Sequence, residues 1–329
     1  MMNNVQLRSS FRLDYLDNLK GFLIICVVLG HVIQFSNPHF DEVPLFRLIY
    51  SFHMPLFMWA SGYVNYRKKT ELGVLKRRAL QLVLPFVAWV TLHAVATMNL
   101  HYWIDVFYNP TISVWFIWDL FLIICFTTGI DYWCEKKQKS SLIVLPLAYV
   151  ILQVGIKACH TEILGISHTL DLGLFYILGY YMKKYDVYNK FVSIKFGGAI
   201  FILFLIGCFF WQRKQPPTFY PEGGKVVMLA YKMLVAFFAC VSIPVIFKKY
   251  LRKKILFLTY LGQQTLGIYV IHMALIFYVI RYCNSFFSID NRYLEYALIT
   301  IITLIVTQII NIILMKNKWS RLIFLGNLK

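Results

Sequence analysis

Ten apolar stretches alternate with short polar segments along the chain, at 19–36, 44–64, 79–98, 112–130, 141–157, 168–182, 194–212, 226–247, 264–281 and 294–315. A helix needs about 20 mostly apolar residues to cross the hydrocarbon core of a bilayer, so the pattern predicts an all-α, polytopic membrane protein with about ten transmembrane helices in one bundle. The whole of 1–329 reads as a single membrane-embedded domain, with a polar segment at 1–18 and a short basic tail at 316–329. That first segment lacks the small-residue cleavage site of a signal peptide, so the first helix is expected to stay in place as an anchor. There is no internal repeat, low-complexity tract or glycine-rich phosphate loop, and no stretch that reads as a soluble catalytic domain.

Composition agrees with the pattern and charge orients it. The chain is 59% hydrophobic and only 15% charged, where soluble domains carry about a quarter charged residues. A net charge of +18 would suit a nucleic-acid partner, but the basic residues cluster in the short segments between apolar runs, as cytoplasmic loops do. Nucleic acid is therefore set aside. With the N-terminus cytoplasmic, 25 of the 33 Lys and Arg fall on the inner side, which an even helix count with both termini inside requires. The seven cysteines are odd in number and show no metal-ligand spacing. Only Cys159 and Cys283 approach the outer face, and both are expected to be free thiols.

Chemistry at membrane depth has few carriers. Ionisable residues there are costly and functional by default, and the clearest are His31, His53, Asp119 and His272. At helical rise, His31 lies about 16 Å beyond Lys20, His53 about 16 Å from Val64, and His272 about 12 Å from Gln264. Three imidazoles on three helices thus fall near one depth, with Asp119 close by. Each has a plainer reading as an interhelical hydrogen-bonding group, and Lys20 as a snorkelling anchor. His39, His93, His101, His160 and His168 lie toward outer ends and loops, where a structural role suffices. Ser61, followed by Gly62 but without an elbow motif around it, is assigned to close packing and to lining the site.

Three segments carry a family resemblance: "YLDNLKGFLIICVVLGH", "FHMPLFMWASGY" and "LGQQTLGIYVIHMALI". The chain resembles membrane acyltransferase family 3 over its whole length, in particular the bacterial sugar O-acetyltransferases similar to fucose 4-O-acetylase and the enterobacterial common antigen acetyltransferase. The resemblance implies an enzyme of the bacterial cytoplasmic membrane. It would take an acyl group, usually acetyl, from cytoplasmic acyl-CoA to a carbohydrate hydroxyl of a surface polysaccharide or its lipid-linked precursor, with acetyl-CoA as co-substrate and no tightly bound cofactor. Many relatives have arginine where this chain has Lys20, which keeps the charge but not the bidentate fork. Relatives that carry an extracytoplasmic hydrolase-like domain differ in that respect, so here the membrane domain itself is expected to deliver the acyl group.

Coenzyme A has phosphates at one end and a thioester at the end of a long thin arm, which suits a cation at the mouth and a base further in. Lys20, Arg77 and Arg78 would hold the phosphates, and Ser61 and Tyr269 would line the substrate path. His31 would act as general base or carry the acyl group itself, with Asp119 or His53 available to orient it. The alternative class is a secondary transporter or flippase of a lipid-linked or anionic substrate, where midplane histidines and broken helices also occur.

Overall fold

The computed structural model describes residues 13–158, 165–190, 193–287 and 289–328. Their regular structure is helical throughout. Ten long helices fall on the ten apolar stretches: α1 (Asp14–Ser36), α2 (Pro44–Asn65), α3 (Gly73–Ala96), α5 (Trp115–Lys136), α6 (Ser141–Ala158), α7 (Ile166–Lys184), α9 (Ile194–Phe210), α10 (Gly224–Tyr250), α12 (Thr265–Phe286) and α13 (Arg292–Lys316). Six of them, α1, α3, α5, α10, α12 and α13, are long and apolar enough to cross a membrane, and α6 and α9 are shorter apolar helices. The protein is a multi-pass membrane protein.

The two remaining long helices, α2 and α7, pack against each other. Gly62 of α2 lies against the Tyr176 carbonyl of α7, and Gly179 of α7 lies against the Trp59 carbonyl of α2, so near that a Cβ on either would run into the opposing backbone. Small residues admit this approach between membrane helices, and it explains Gly62 as packing. Polar groups on α2 are thereby sheltered from lipid and tolerated.

Four short helices were not visible as apolar runs: α4 (Tyr102–Tyr108), α8 (Val187–Lys190), α11 (Leu256–Gln263) and α14 (Lys318–Leu325). Two of them reshape the expectation. The basic tail is not loose: Asn317 caps α14 by accepting from the Trp319 and Ser320 N–H groups, and Trp89 of α3 donates its indole N–H to the Phe324 carbonyl at 3.0 Å.

Helix α11 packs on α1, with Gly21 against the Leu258 carbonyl and Gly262 against that of Asp17. Asn18 ties the same junction together. Its side-chain N–H₂ donates to the Leu251 and Lys253 carbonyls, both at 2.8 Å, and its oxygen accepts from the Thr259 hydroxyl at 2.8 Å and the Ile255 N–H at 3.3 Å. Every donor and acceptor of that buried amide is thus used, as burial demands. With α2, α10, α12 and α13 also against it, α1 runs through the middle of the bundle and carries Lys20 and His31 into its interior.

Candidate active site

Two cavities lie end to end along α1. The first, of about 210 Å³, is walled by Lys20, Ile24 and Val27 of α1, Phe57, Ser61 and Asn65 of α2, and Arg78 of α3. Phe116 and Leu120 of α5 and Tyr269 of α12 close it. The Arg78 guanidinium donates to Gln81 Oε1 at 3.0 Å and to Asn65 Oδ1, which fixes the charge at the wall. Next to it, a cavity of about 330 Å³ is lined by Arg67, Glu71, Arg77, Arg78 and Gln81. Lys20 and Arg78 therefore share one wall, and Arg77 joins them through Arg78. Arg67, which the sequence did not single out, completes a cationic mouth.

The second cavity, of about 590 Å³, is lined by His31, Gln34 and Phe35 of α1, Tyr50, His53 and Met54 of α2, and Trp115, Arg213, Tyr269, Met273 and Phe277, among others. Met54 and Tyr269 wall both cavities. The division follows from the helix directions: the first cavity takes the N-terminal half of α1 with the C-terminal half of α2, and the second takes the reverse. Lys20 and His31 thus line different cavities, which share Met54 and Tyr269 as walls.

Around His31 the three imidazoles gather. The His31 ring lies 5.5 Å from that of His272 and 6.4 Å from the Tyr50 ring, edge-on. Tyr50 in turn lies 4.7 Å from His53, so the phenol stands between the two imidazoles. Hydrogen bonding decides the tautomers. His53 Nδ1–H donates to the Ile49 carbonyl at 2.8 Å and His272 Nδ1–H to the Ile268 carbonyl at 3.0 Å, because a carbonyl can only accept. Their Nε2 atoms are left as lone-pair acceptors, and that of His272 is buried without a partner among the described residues.

Tyr50 gives its only proton to Gln34 Oε1, 2.5 Å away. The phenol oxygen also lies 3.5 Å from His31 Nδ1; in the tautomer with Nδ1 protonated it accepts there, and Nε2 is the basic nitrogen.

The other sequence candidates divide. His53 lines the His31 cavity, whereas His272, with no exposed surface, lies tilted against the His31 ring. Asp119 is 1% exposed, accepts from the Thr169 hydroxyl at 2.9 Å and lines neither cavity. Ser61 lines the first cavity and Tyr269 both; the Tyr269 hydroxyl oxygen accepts from the Phe116 N–H at 3.2 Å. Three of the histidines assigned to structure have local partners, His39 with Glu42, His101 with Asp105, and His93 against the Tyr102 ring at 4.3 Å; the His168 side chain lies outside what the structure describes. Cys283 is a free, buried thiol; Cys159 and His160 lie outside the described residues.

Sequence reasoning missed Tyr50, Gln34 and Arg213. The first two had a signal, since Gln34 follows His31 by three positions and Tyr50 precedes His53 by three, the spacing of helical neighbours. Arg213, in the segment between α9 and α10, had none.

Comparison with known proteins points the same way. Residues 13–312 match the family described as "Acyltransferase domain". The chain is 36% identical over 122 residues to "Nodulation protein NolL" of Mesorhizobium japonicum, covering 32% of each chain. It is 39% identical over 89 residues to the protein of that name from Sinorhizobium fredii, covering 25% of this chain and 24% of the relative. The matched stretches thus span about a third or less of these relatives. No solved structure matches. The family match covers nearly the whole chain, and the protein belongs to the acyltransferase domain family.

Proposed function

We propose, with membership of the acyltransferase family as the premise, that the protein moves a short acyl group, acetyl by default, from cytoplasmic acyl-CoA to a carbohydrate hydroxyl of a surface polysaccharide or its lipid-linked precursor. The observation that carries this reading is the pair of cavities meeting at Met54 and Tyr269, with Lys20 and Arg78 at one end and His31 at the other. All ten long helices cross the cytoplasmic membrane in this reading, and both termini lie inside, so the Lys20 cavity opens to the cytoplasm.

The phosphates of the donor sit among Lys20, Arg78, Arg77 and Arg67. Its arm follows α1 toward His31, which lies about 16 Å from Lys20, and brings the thioester to the junction. The acceptor enters from the His31 cavity. His31 Nε2 takes the proton of the acceptor hydroxyl as its oxygen attacks the thioester carbonyl; the carbon–sulfur bond breaks, and the departing thiolate takes that proton from the imidazolium, which returns His31 to its neutral form. Tyr50 holds the imidazole through Nδ1, and His53, on the same cavity wall, stands near the acceptor. His272 and Asp119 support the site from behind it. The alternative of a transporter has no need of a cation and a base on one helix at opposite ends of one path.

Purified protein given radiolabelled acetyl-CoA and a glycan acceptor is expected to expose free coenzyme A thiol and to label the glycan. Protein that does neither, while remaining folded, would refute acyl transfer.

A further inference from the structure

We infer that Arg213 forms an anion subsite in the His31 cavity, and that the ligand taken there is a sugar bearing a phosphate or carboxylate near the reacting hydroxyl. The inference deepens the acyl-transfer reading and rests on it for calling that ligand the acceptor.

Arg213 sits with its guanidinium 5.1 Å from the Tyr50 ring centroid, 5.5 Å from Phe40 and 5.9 Å from Phe46. Cation–π contacts of this kind hold a guanidinium in place while leaving its edge free. Among the described residues its side chain makes no hydrogen bond and no ion pair, although Arg47, nearby in sequence to those rings, gives its Nε–H to the Asp41 carbonyl. The segment carrying Arg213 is itself fixed, because the Lys232 ammonium donates to the Arg213 carbonyl.

The cavity it faces has no carboxylate among its lining residues; its ionisable members are His31, His53, Tyr50, Tyr269 and Arg213 itself. A planar fork of N–H donors in such a place fits a phosphate or carboxylate in two-point contact. Phe35, Trp115 and Phe277 supply apolar walls and Gln34 a polar one, which suits a sugar ring with alternating apolar and hydroxyl faces. Because Tyr50 touches both Arg213 and His31, an anion on the guanidinium brings its attached sugar within reach of the base.

The test is equilibrium dialysis of radiolabelled glucose 1-phosphate, glucuronate and methyl glucoside against the protein in phosphatidylcholine nanodiscs, without acyl-CoA. The anionic probes are expected to bind at least tenfold more tightly than methyl glucoside. Arg213→Gln should abolish that preference, Arg213→Lys should keep part of it, and Lys225→Gln, which removes an exposed charge elsewhere, should leave it intact. Tighter binding of the phosphate or of the carboxylate tells which anion the site takes.

The inference is overturned if the natural protein shows no anionic preference, if Arg213→Gln retains it, or if Lys225→Gln loses as much. A packing role alone would lower binding of all three probes equally. If Arg213→Gln proves unfolded by its thermal unfolding midpoint, Arg213→Lys decides the matter, since loss of the two-point fork must still weaken the anions relative to methyl glucoside. Dialysis needs no turnover, so a failure of acyl transfer would show in thiol release and not here.

Discussion

Which nitrogen of His31 carries its proton decides what the residue can do, and two neutral neighbours, Tyr50 and Gln34, bear on it. Gln34 Oε1 accepts from the Tyr50 hydroxyl, and in the proposed mechanism Tyr50 in turn accepts from His31 Nδ1–H, so that Nε2 acts as the base. His31→Ala is accordingly expected to bind acyl-CoA but to lose about 10²–10⁴-fold in turnover, the usual effect of removing a general base. Tyr50→Phe should lose only about fivefold, the worth of one hydrogen bond of about 1 kcal/mol, with acyl-CoA affinity unchanged. Lys20→Ala should do the opposite, weakening donor binding in a titration with a non-hydrolysable acyl-CoA analogue while Lys20→Arg retains most of it; raised salt should weaken the natural protein too, by screening. An active His31→Ala protein would remove His31 from the chemistry. These charged and imidazole groups were legible in the sequence because apolar surroundings make them conspicuous. Tyr50 and Gln34 were not, since neutral polar residues are common near helix ends and only the pairing of α1 with α2 brings them to His31.

Helices as units are fixed here by close backbone approach as much as by apolar surface. The contact of Gly62 with the Tyr176 carbonyl leaves no room for a methyl group, whereas Gly129 of α5 has open space where its Cβ would stand. Gly62→Ala should therefore destabilise by about 1–3 kcal/mol, the range for overpacking, seen as a lower thermal unfolding midpoint in detergent. Gly129→Ala should be neutral or slightly stabilising, as Ala is the better helix former. Equal midpoints for the two would mean that α2 and α7 part at no cost. Periodicity and length made the ten long helices legible, because hydrocarbon thickness dictates both. The short helices escaped for a physical reason: α11 and α14 are eight residues each, below the length of a span, and owe their order to the Asn18 amide, the Asn317 cap and the Trp89 contact rather than to an apolar run. Two of the three segments that carry the family resemblance thereby acquire a structural explanation as well, since Gly21 and Gly262 seat α11 on α1.

At the scale of the whole molecule, the proposed function has donor and acceptor approach from opposite faces of the membrane, and the excess of basic residues assigns the Lys20 end to the cytoplasm in that reading. The Lys20 end is flanked by Arg67, Arg77 and Arg78, part of the excess of basic residues assigned to the cytoplasm. Single cysteines introduced near residues 70, 138, 188 and 250, in a background with the natural seven replaced, should react with a membrane-impermeant thiol reagent only from the cytoplasmic side. Those near 40, 105 and 220 should react only from outside. Val64 and Phe277 sharpen this, because each lines one cavity and is about half exposed, at 49% and 57%. Val64→Cys should be labelled from the cytoplasm and shielded by acyl-CoA, since the donor fills the cavity that Val64 lines. Phe277→Cys should be labelled from outside, and acyl-CoA should leave its rate unchanged because the arm ends at Met54 and Tyr269. Labelling of both from one face would collapse the two-sided path, and shielding of Phe277→Cys by the donor would move the thioester past His31, leaving the acceptor no room beside the base.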